Sequence, residues 1–143
     1  MIEQVILAED DPDFRALVAA ALRRAGFTVV ECEHGMRLVE HLDRVLRGSK
    51  GAPLAIVSDV RMPGVSGISV LEELFGLALD IPVILMTAFG GPDLHEAAGR
   101  LGAVCVLDKP FDLEELITHL RQIEQWAEPS KLGTRLDSPR FDR

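Results

Sequence analysis

The sequence is poor in basic residues, in long apolar runs and in cysteine. Only 15 Lys and Arg stand against 23 acidic residues, a net charge of −8. This balance argues against direct binding of nucleic acid or of an anionic membrane, because phosphate contacts need clustered cations. No apolar run approaches the roughly 20 residues that a membrane helix requires. The N-terminal stretch MIEQVILAEDD turns acidic at once and does not resemble a signal peptide.

The two cysteines, Cys32 and Cys105, lie in apolar, strand-like runs. We expect buried thiols rather than a disulfide, and therefore a chain of the reducing cytoplasm. An apolar content of 48% over 143 residues fits a single domain with its own core. Residues 128–143 are polar, carry two prolines and show no periodicity. We predict one domain over residues 1–127, followed by a disordered tail or a linker stub.

Short apolar runs alternate with helical patterns along the chain. The predicted strands are 4–8, 27–32, 54–58, 82–87 and 104–107. Each is followed by apolar residues at helical spacing. Because the runs are continuous rather than alternating, they favour a parallel sheet that helices cover on both faces. The sequence therefore predicts an α/β protein of five β–α units, doubly wound, with its ligand site beyond the carboxyl ends of the strands.

Polar residues follow four of these strands at the point where each one ends. Asp59 is the most informative, because the apolar run 54–57 leads through a single serine straight into it. Singly, each of these residues has an ordinary explanation, such as a solvated loop acid or a turn. Together, on four strands of one sheet, they indicate a site. Its members are Glu9, Asp10, Asp59, Thr87, Asp108, Lys109 and Pro110.

Three carboxylates at one sheet edge restrict what the site can hold. Two carboxylates about 4 Å apart repel by roughly 4 kcal/mol at an effective dielectric constant near 20. A hard divalent cation relieves this repulsion, and small sites lined by oxygen suit Mg²⁺. A carboxylate can also act as a nucleophile and form an acyl phosphate. Since phosphoryl transfer needs mainly positioning and charge neutralisation, we predict that Asp59 accepts a phosphoryl group beside Lys109.

The motifs VILAEDDPDFR, IVSDVRMPGVSG, ILMTAFG and VLDKPFDLEEL strongly resemble the receiver domain of two-component response regulators. The resemblance covers about residues 2–126. It implies a CheY-like, flavodoxin-like (βα)5 fold with strand order 2-1-3-4-5. It further implies that a sensor histidine kinase or a phosphotransfer protein phosphorylates Asp59. Thr87 would then hydrogen-bond the phosphoryl group, and Lys109 would pair with it.

The resemblance also implies a metal site and a backbone feature. Mg²⁺, for which Mn²⁺ can substitute, would be bound by Asp10, by Asp59 and by the backbone carbonyl of Arg61. Glu9 would bind it through a water, and we expect its extra methylene, relative to the commoner aspartate, to be tolerated. The Lys109–Pro110 peptide bond is expected to be cis.

Val106 is the larger departure from the family pattern. Many receivers carry at this position an aromatic ring that moves inward with the threonine, and valine cannot do so. We therefore expect the output to pass through the loop that begins at Ala88 and Phe89 and through the fourth helix. Arg61 and Phe89 flank the site. They are either ordinary exposed loop residues or a screen of the acyl phosphate against water.

The leading hypothesis is a switch in signal transduction, not an enzyme that acts on an external metabolite. A receiver-like binding module that takes no phosphate is the alternative. A Mg²⁺-dependent aspartyl-phosphate phosphatase would need an acid at the position of Arg61 and a cap domain. The output partner is unknown, and the family suggests homodimers through the fourth helix, fifth strand and fifth helix. The histidines are predicted on solvated faces, without metal spacing: His34, His41, His95 and His119.

Overall fold

The computed structural model describes residues 3–48, 51–76 and 80–126. The predicted tail, 128–143, and the outermost residues of the predicted domain lie outside these ranges. Within them, no helix combines the length and the apolar composition needed to cross a membrane.

Five strands alternate with five helices in the described part of the chain. The strands are β1 (Gln4–Ala8), β2 (Thr28–Cys32), β3 (Ala55–Asp59), β4 (Val83–Thr87) and β5 (Cys105–Asp108). The helices are α1 (Pro12–Arg24), α2 (Gly35–Leu46), α3 (Gly67–Gly76), α4 (Pro92–Arg100) and α5 (Leu113–Trp126). All neighbouring strands pair in parallel, in the order β2-β1-β3-β4-β5. The predicted doubly wound (βα)5 fold is therefore confirmed.

Side chains at the starts of α1 and α5 fix where these two helices leave the sheet edge. The Asp11 carboxylate accepts hydrogen bonds from the N–H groups of Asp13 and Phe14, at 3.0 and 3.3 Å, and Pro12 opens α1. The Asp112 carboxylate caps α5 through the N–H of Glu114, at 3.1 Å. The three-residue spacing of Asp112 and Glu115 in the sequence is typical of a capping box, but the Glu115 N–H bonds the Asp112 carbonyl instead.

The helices form two layers around the sheet. Helices α1 and α5 pack on one face around Val18, Leu22, Leu116 and Leu120. Helices α2, α3 and α4 pack on the other around Leu38, Leu42, Val70, Leu71 and Ala98. Strands β3 and β4 are buried throughout, as their continuous apolar runs predict. The edge strand β2 is an exception, because Thr28 and Glu31 reach solvent.

Both cysteines are buried free thiols, as predicted, and they lie on opposite sides of the sheet. Cys32 belongs to the apolar cluster under α2, α3 and α4, and Cys105 to the cluster under α1 and α5. Burial is the main cause that raises the pKa of Cys32 to about 11 and the pKa of Cys105 to about 12. Both thiols are therefore protonated and inert at neutral pH.

The histidine prediction was wrong in part. His41 is only 7% exposed, because it lies three residues after Leu38 on the inner face of α2. His34 is not an idle surface residue either, since its Nδ1 accepts the Arg37 N–H at 3.3 Å and caps α2. Among the apolar residues at helical spacing, Leu17 and Phe75 fall at the margin of their stripes and are mostly exposed.

Candidate functional site

The carboxyl ends of four strands bring the polar residues to one edge of the sheet. Strand β3 ends on Asp59 itself and β4 on Thr87, while Glu9 follows β1 and Lys109 follows β5. The register aligns Ala8 with Ser58 and Thr87 with Asp108, so the strands end at the same level. This parallel arrangement is what collects residues from four separate segments into one site.

Three carboxylates form the floor of this site. Glu9, Asp10 and Asp59 each place one oxygen within 4.8 Å of the others. Glu9 is 1% exposed and Asp59 is 7% exposed, whereas Asp10 faces solvent. Carboxylates this close repel one another unless a cation lies among them. The all-oxygen donor set and the opening at Asp10 therefore fit a hard divalent cation such as Mg²⁺.

The Glu9 carboxylate is engaged on both oxygens. Its Oε1 accepts a hydrogen bond from Lys109 Nζ at 2.9 Å, and its Oε2 accepts the Asp11 N–H at 3.0 Å. Burial raises the pKa of Glu9 above its usual value and outweighs the lowering effect of these two hydrogen bonds. Because both oxygens already have partners, an indirect contact with a metal through water suits Glu9 better than direct ligation.

Lys109 links the two buried acids. Its Nζ lies 2.9 Å from Glu9 and 3.5 Å from Asp59 Oδ2. Burial by itself would lower the pKa of Lys109, but the hydrogen bond to Glu9 and the charge of Asp59 outweigh it, so that the pKa is raised. The side chain therefore stays an ammonium ion that neutralises part of the acidic cluster. The Lys109–Pro110 peptide bond is cis, as predicted.

Thr87 and the two flanking loop residues lie on the other side of Asp59. Thr87 is fully buried, and its Oγ1 accepts the Phe89 N–H at 3.1 Å. The hydroxyl keeps its own hydrogen for donation to a further acceptor. The Arg61 guanidinium lies over the exposed Phe89 ring, 5.5 Å from its centroid. The two residues are thus exposed and in mutual contact beside Asp59, whose Oδ1 accepts the Arg61 N–H at 3.4 Å.

Asp108 connects β5 with α4. Its carboxylate lies 3.1 Å from His95 Nε2, and a Cβ added at Gly90 would collide with it. Val106, in contrast, is a buried core residue in the cluster under α4. The loop after β4 is therefore tied to β5 through Asp108, not through a large ring at position 106. Nothing in the sequence pattern indicated the pairing of Asp108 with His95.

Phe14 is a site neighbour that sequence reasoning missed. Its place among the apolar residues at helical spacing in α1 predicts only packing against the core, yet Lys109 Nζ lies 4.6 Å from the centroid of its ring. A signal was available, because Phe14 falls in the first turn of a helix that starts directly at the acidic cluster. The ammonium is thus enclosed by two carboxylates and one aromatic face.

Comparisons with known proteins identify the family of this chain. The chain matches the family model of the response regulator receiver domain over residues 5–121. It is 35% identical over 119 residues to the C4-dicarboxylate transport transcriptional regulatory protein DctD of Pseudomonas aeruginosa, covering 83% of this chain and 24% of that protein. It is 27% identical to the sporulation initiation phosphotransferase F of Bacillus subtilis, covering 81% of this chain and 89% of that protein.

A solved structure supports the fold independently. The receiver domain of the Francisella response regulator 1452 superposes with a TM-score of 0.80 at 22% identity, over 88% of this chain and 99% of that one. This chain spans only about a quarter of the length of DctD.

Proposed function

Because the chain belongs to the receiver domain family of two-component response regulators, we propose that Asp59 accepts a phosphoryl group in a Mg²⁺-dependent reaction. One observation carries the proposal. The buried Asp59 carboxylate lies between an acidic cluster that fits a cation and the ammonium of Lys109, 3.5 Å away. Such a carboxylate is placed to act as a nucleophile and to have its product charge neutralised.

The reaction is a displacement at phosphorus. An oxygen of Asp59 forms a bond to phosphorus while the bond to the donor breaks, and the electron pair leaves with the donor. Lys109 and the Thr87 hydroxyl would receive the phosphoryl oxygens. Asp10, Asp59 and the Arg61 carbonyl would hold the cation, with Glu9 acting through water. When bound, Mg²⁺ or Mn²⁺ would neutralise charge shared by the carboxylates and the phosphoryl oxygens.

The donor and the output follow from family membership. We propose that the donor is a phosphohistidine on a sensor histidine kinase or on a phosphotransfer protein. The output is a changed preference for a protein partner at the surface formed by α4, β5 and α5, which is also the surface for a homodimer. The contact of His95 with Asp108 supports this route, since it joins α4 to the strand that precedes Lys109. A shift between two states requires that the partner bind them with different affinity.

Intact-mass measurement after incubation with acetyl phosphate and Mg²⁺ tests the proposal. We expect the mass of one added phosphoryl group, dependent on Mg²⁺ and lost in the Asp59→Asn variant. The carboxamide has the same shape as the carboxylate but lacks a nucleophilic anion, so this variant is the matched control. If neither acetyl phosphate nor a histidine kinase modified the wild-type chain, the protein would instead be a binding module that takes no phosphate.

A further inference from the structure

The face of the Phe14 ring lies against the Lys109 ammonium. The distance of 4.6 Å from Nζ to the ring centroid is within the range, about 6 Å, in which a cation is attracted to an aromatic face. The Lys109 side chain is only 20% exposed, so water weakens this attraction less than on an open surface. The ring is the third partner of the ammonium, beside Glu9 and Asp59.

The position of the ring is fixed from two directions. On the backbone side, the Asp11 carboxylate accepts the Phe14 N–H and holds the first turn of α1. The ring of Phe14 itself packs edge-on against the ring of Phe111, with centroids 5.9 Å apart and ring planes at 87°. Such perpendicular pairs are a preferred arrangement of aromatic rings. Phe14 therefore presents a stationary surface, while the long Lys109 side chain has many rotamers of its own.

We propose that Phe14 is a positioning residue that keeps the Lys109 ammonium over Asp59 during phosphoryl transfer. This inference rests on the proposed function. In the structure the ammonium is nearer to Glu9 than to Asp59, at 2.9 Å against 3.5 Å. When a phosphoryl group arrives, the ammonium has to exchange a carboxylate partner for a phosphoryl oxygen. A ring face attracts the cation without fixing the direction of its hydrogen bonds, so it holds Lys109 in place through that exchange.

The competing explanation is that Phe14 only fills space beside Phe111. The two explanations differ in what they require of the ring. Space filling depends on its shape, whereas attraction of a cation depends on the electron density of its face. Replacing ring hydrogens by fluorine lowers that electron density and nearly preserves the shape.

The first experiment is a series of fluorinated phenylalanines placed at position 14 alone. With acetyl phosphate and Mg²⁺, we expect the phosphorylation rate to fall stepwise from phenylalanine through the 4-fluoro to the 3,4,5-trifluoro ring, by about tenfold in total. The same series at Phe27 is the control, since that ring lies under Arg121, 5.0 Å away and on no part of the site. A rate that does not change with fluorination at position 14 would overturn the proposal.

A second measurement does not depend on phosphorylation. In NMR spectra, the ring current of Phe14 should move the ε-methylene protons of Lys109 upfield, and the Phe14→Leu variant should lose that shift. If the wild-type protein showed no such shift, the proposal would fail whatever the phosphorylation rates. If the shift were present but acetyl phosphate and kinase both left Asp59 unmodified, the proposed function would fail, while the contact of Phe14 with Lys109 would stand.

Discussion

The two sides of the site are built differently. On the α1/α5 side, defined by Glu9, Phe14 and Lys109, charged groups are buried and held by several partners each. On the α3/α4 side, defined by Arg61, Phe89 and Gly90, the residues are exposed and lie in loops, and Arg61 and Phe89 contact each other. The residues of the α1/α5 side are held in place by the apolar core beneath them and by the ends of the strands that carry them. The α3/α4 side depends on two loops, and loops are where proteins place the parts that respond to a ligand.

This contrast suggests a division of roles. Under the proposed function, the α1/α5 side would supply charge and position for phosphoryl transfer to Asp59, and both are already present in the unphosphorylated structure. Under the proposed function, the α3/α4 side would govern access of water and transmission of the signal, since Gly90 closely approaches Asp108 and Asp108 contacts His95 of α4. Substitutions on the first side should therefore change the rate of phosphorylation. Substitutions on the second side should change lifetime, loop stability or output.

Removal of the Lys109 charge is expected to have the largest effect. Lys109→Met should slow phosphorylation by acetyl phosphate by about 100-fold or more, because the charge that develops at the phosphoryl oxygens loses its cation. Lys109→Arg is the control, and we expect it to keep part of the rate. Intact mass followed over time measures both. A Lys109→Met rate close to wild type would show that the α1/α5 side does not govern the chemistry.

The glycines of the loop after β4 allow a matched pair of substitutions. A Cβ at Gly90 would meet Asp108 and lie 3.1 Å from the Thr87 methyl group, whereas at Gly91 nothing lies within 4 Å. Gly90→Ser should cost about 1–3 kcal/mol of unfolding free energy, as overpacking does. Gly91→Ser should cost little, because serine is also a favourable residue at the start of α4. Urea unfolding followed by circular dichroism distinguishes them, and equal losses would contradict the close approach at Gly90.

Truncation of Arg61 and Phe89 tests whether the α3/α4 side prolongs the lifetime of the acyl phosphate. We expect the acyl phosphate of the Arg61→Ala, Phe89→Ala double variant to decay several-fold faster than that of the wild type, since water gains access to Asp59. The single variants complete a double-mutant cycle, in which the contact of the two side chains should appear as non-additive losses. The half-life of the acyl phosphate is measured after the phosphoryl donor has been removed. An unchanged half-life in the double variant would show that Arg61 and Phe89 do not shield Asp59 from water.

The smallest effect is expected for the two buried thiols. Their reaction rates compare the two faces of the sheet, because one cysteine lies on each face. At pH 8 both should react very slowly with a thiol reagent, because burial raises the pKa to about 11 for Cys32 and about 12 for Cys105. Both β2 and β5 are edge strands, but β2 exposes Thr28 and Glu31, whereas β5 is buried from Cys105 to Leu107. In low concentrations of urea we therefore expect Cys32 to react before Cys105. The Cys32→Ala and Cys105→Ala variants show which cysteine each reaction rate belongs to. Faster reaction of Cys105 would show that β5 opens before β2.

Much of the fold was readable from the sequence because its signals are local. The predicted strand limits agree with the structure to within one residue, and Asp11, directly before Pro12, is the kind of residue that caps a helix and does so at α1. The convergence of Glu9, Asp59 and Lys109 also followed from topology, since parallel strands end at one edge. The exposure of β2 did not follow from its edge position alone, because β5 is also an edge strand and is buried from Cys105 to Leu107.

The details that escaped prediction are those that depend on side-chain packing between distant segments. The length of the Glu9 side chain is one such detail, because it decides whether Lys109 Nζ lies nearer to Glu9 or to Asp59. The ring of Phe14 faces Lys109 because of the orientation of α1, and helical spacing indicated only that the ring is inward. His41 was misassigned because its ring lies on the inner face of α2 despite its polar character.

The hydrogen bond of Glu9 with Lys109 joins residues 100 positions apart. During synthesis on the ribosome the N-terminal acids emerge first, and the only cation that contacts Glu9 and Asp59 among the described residues emerges far later. A nascent or truncated chain that ends before β5 therefore carries the acceptor Asp59 without the ammonium that the proposed reaction requires. Competence for phosphorylation would thus report that translation has passed residue 109 and that the last strand has docked.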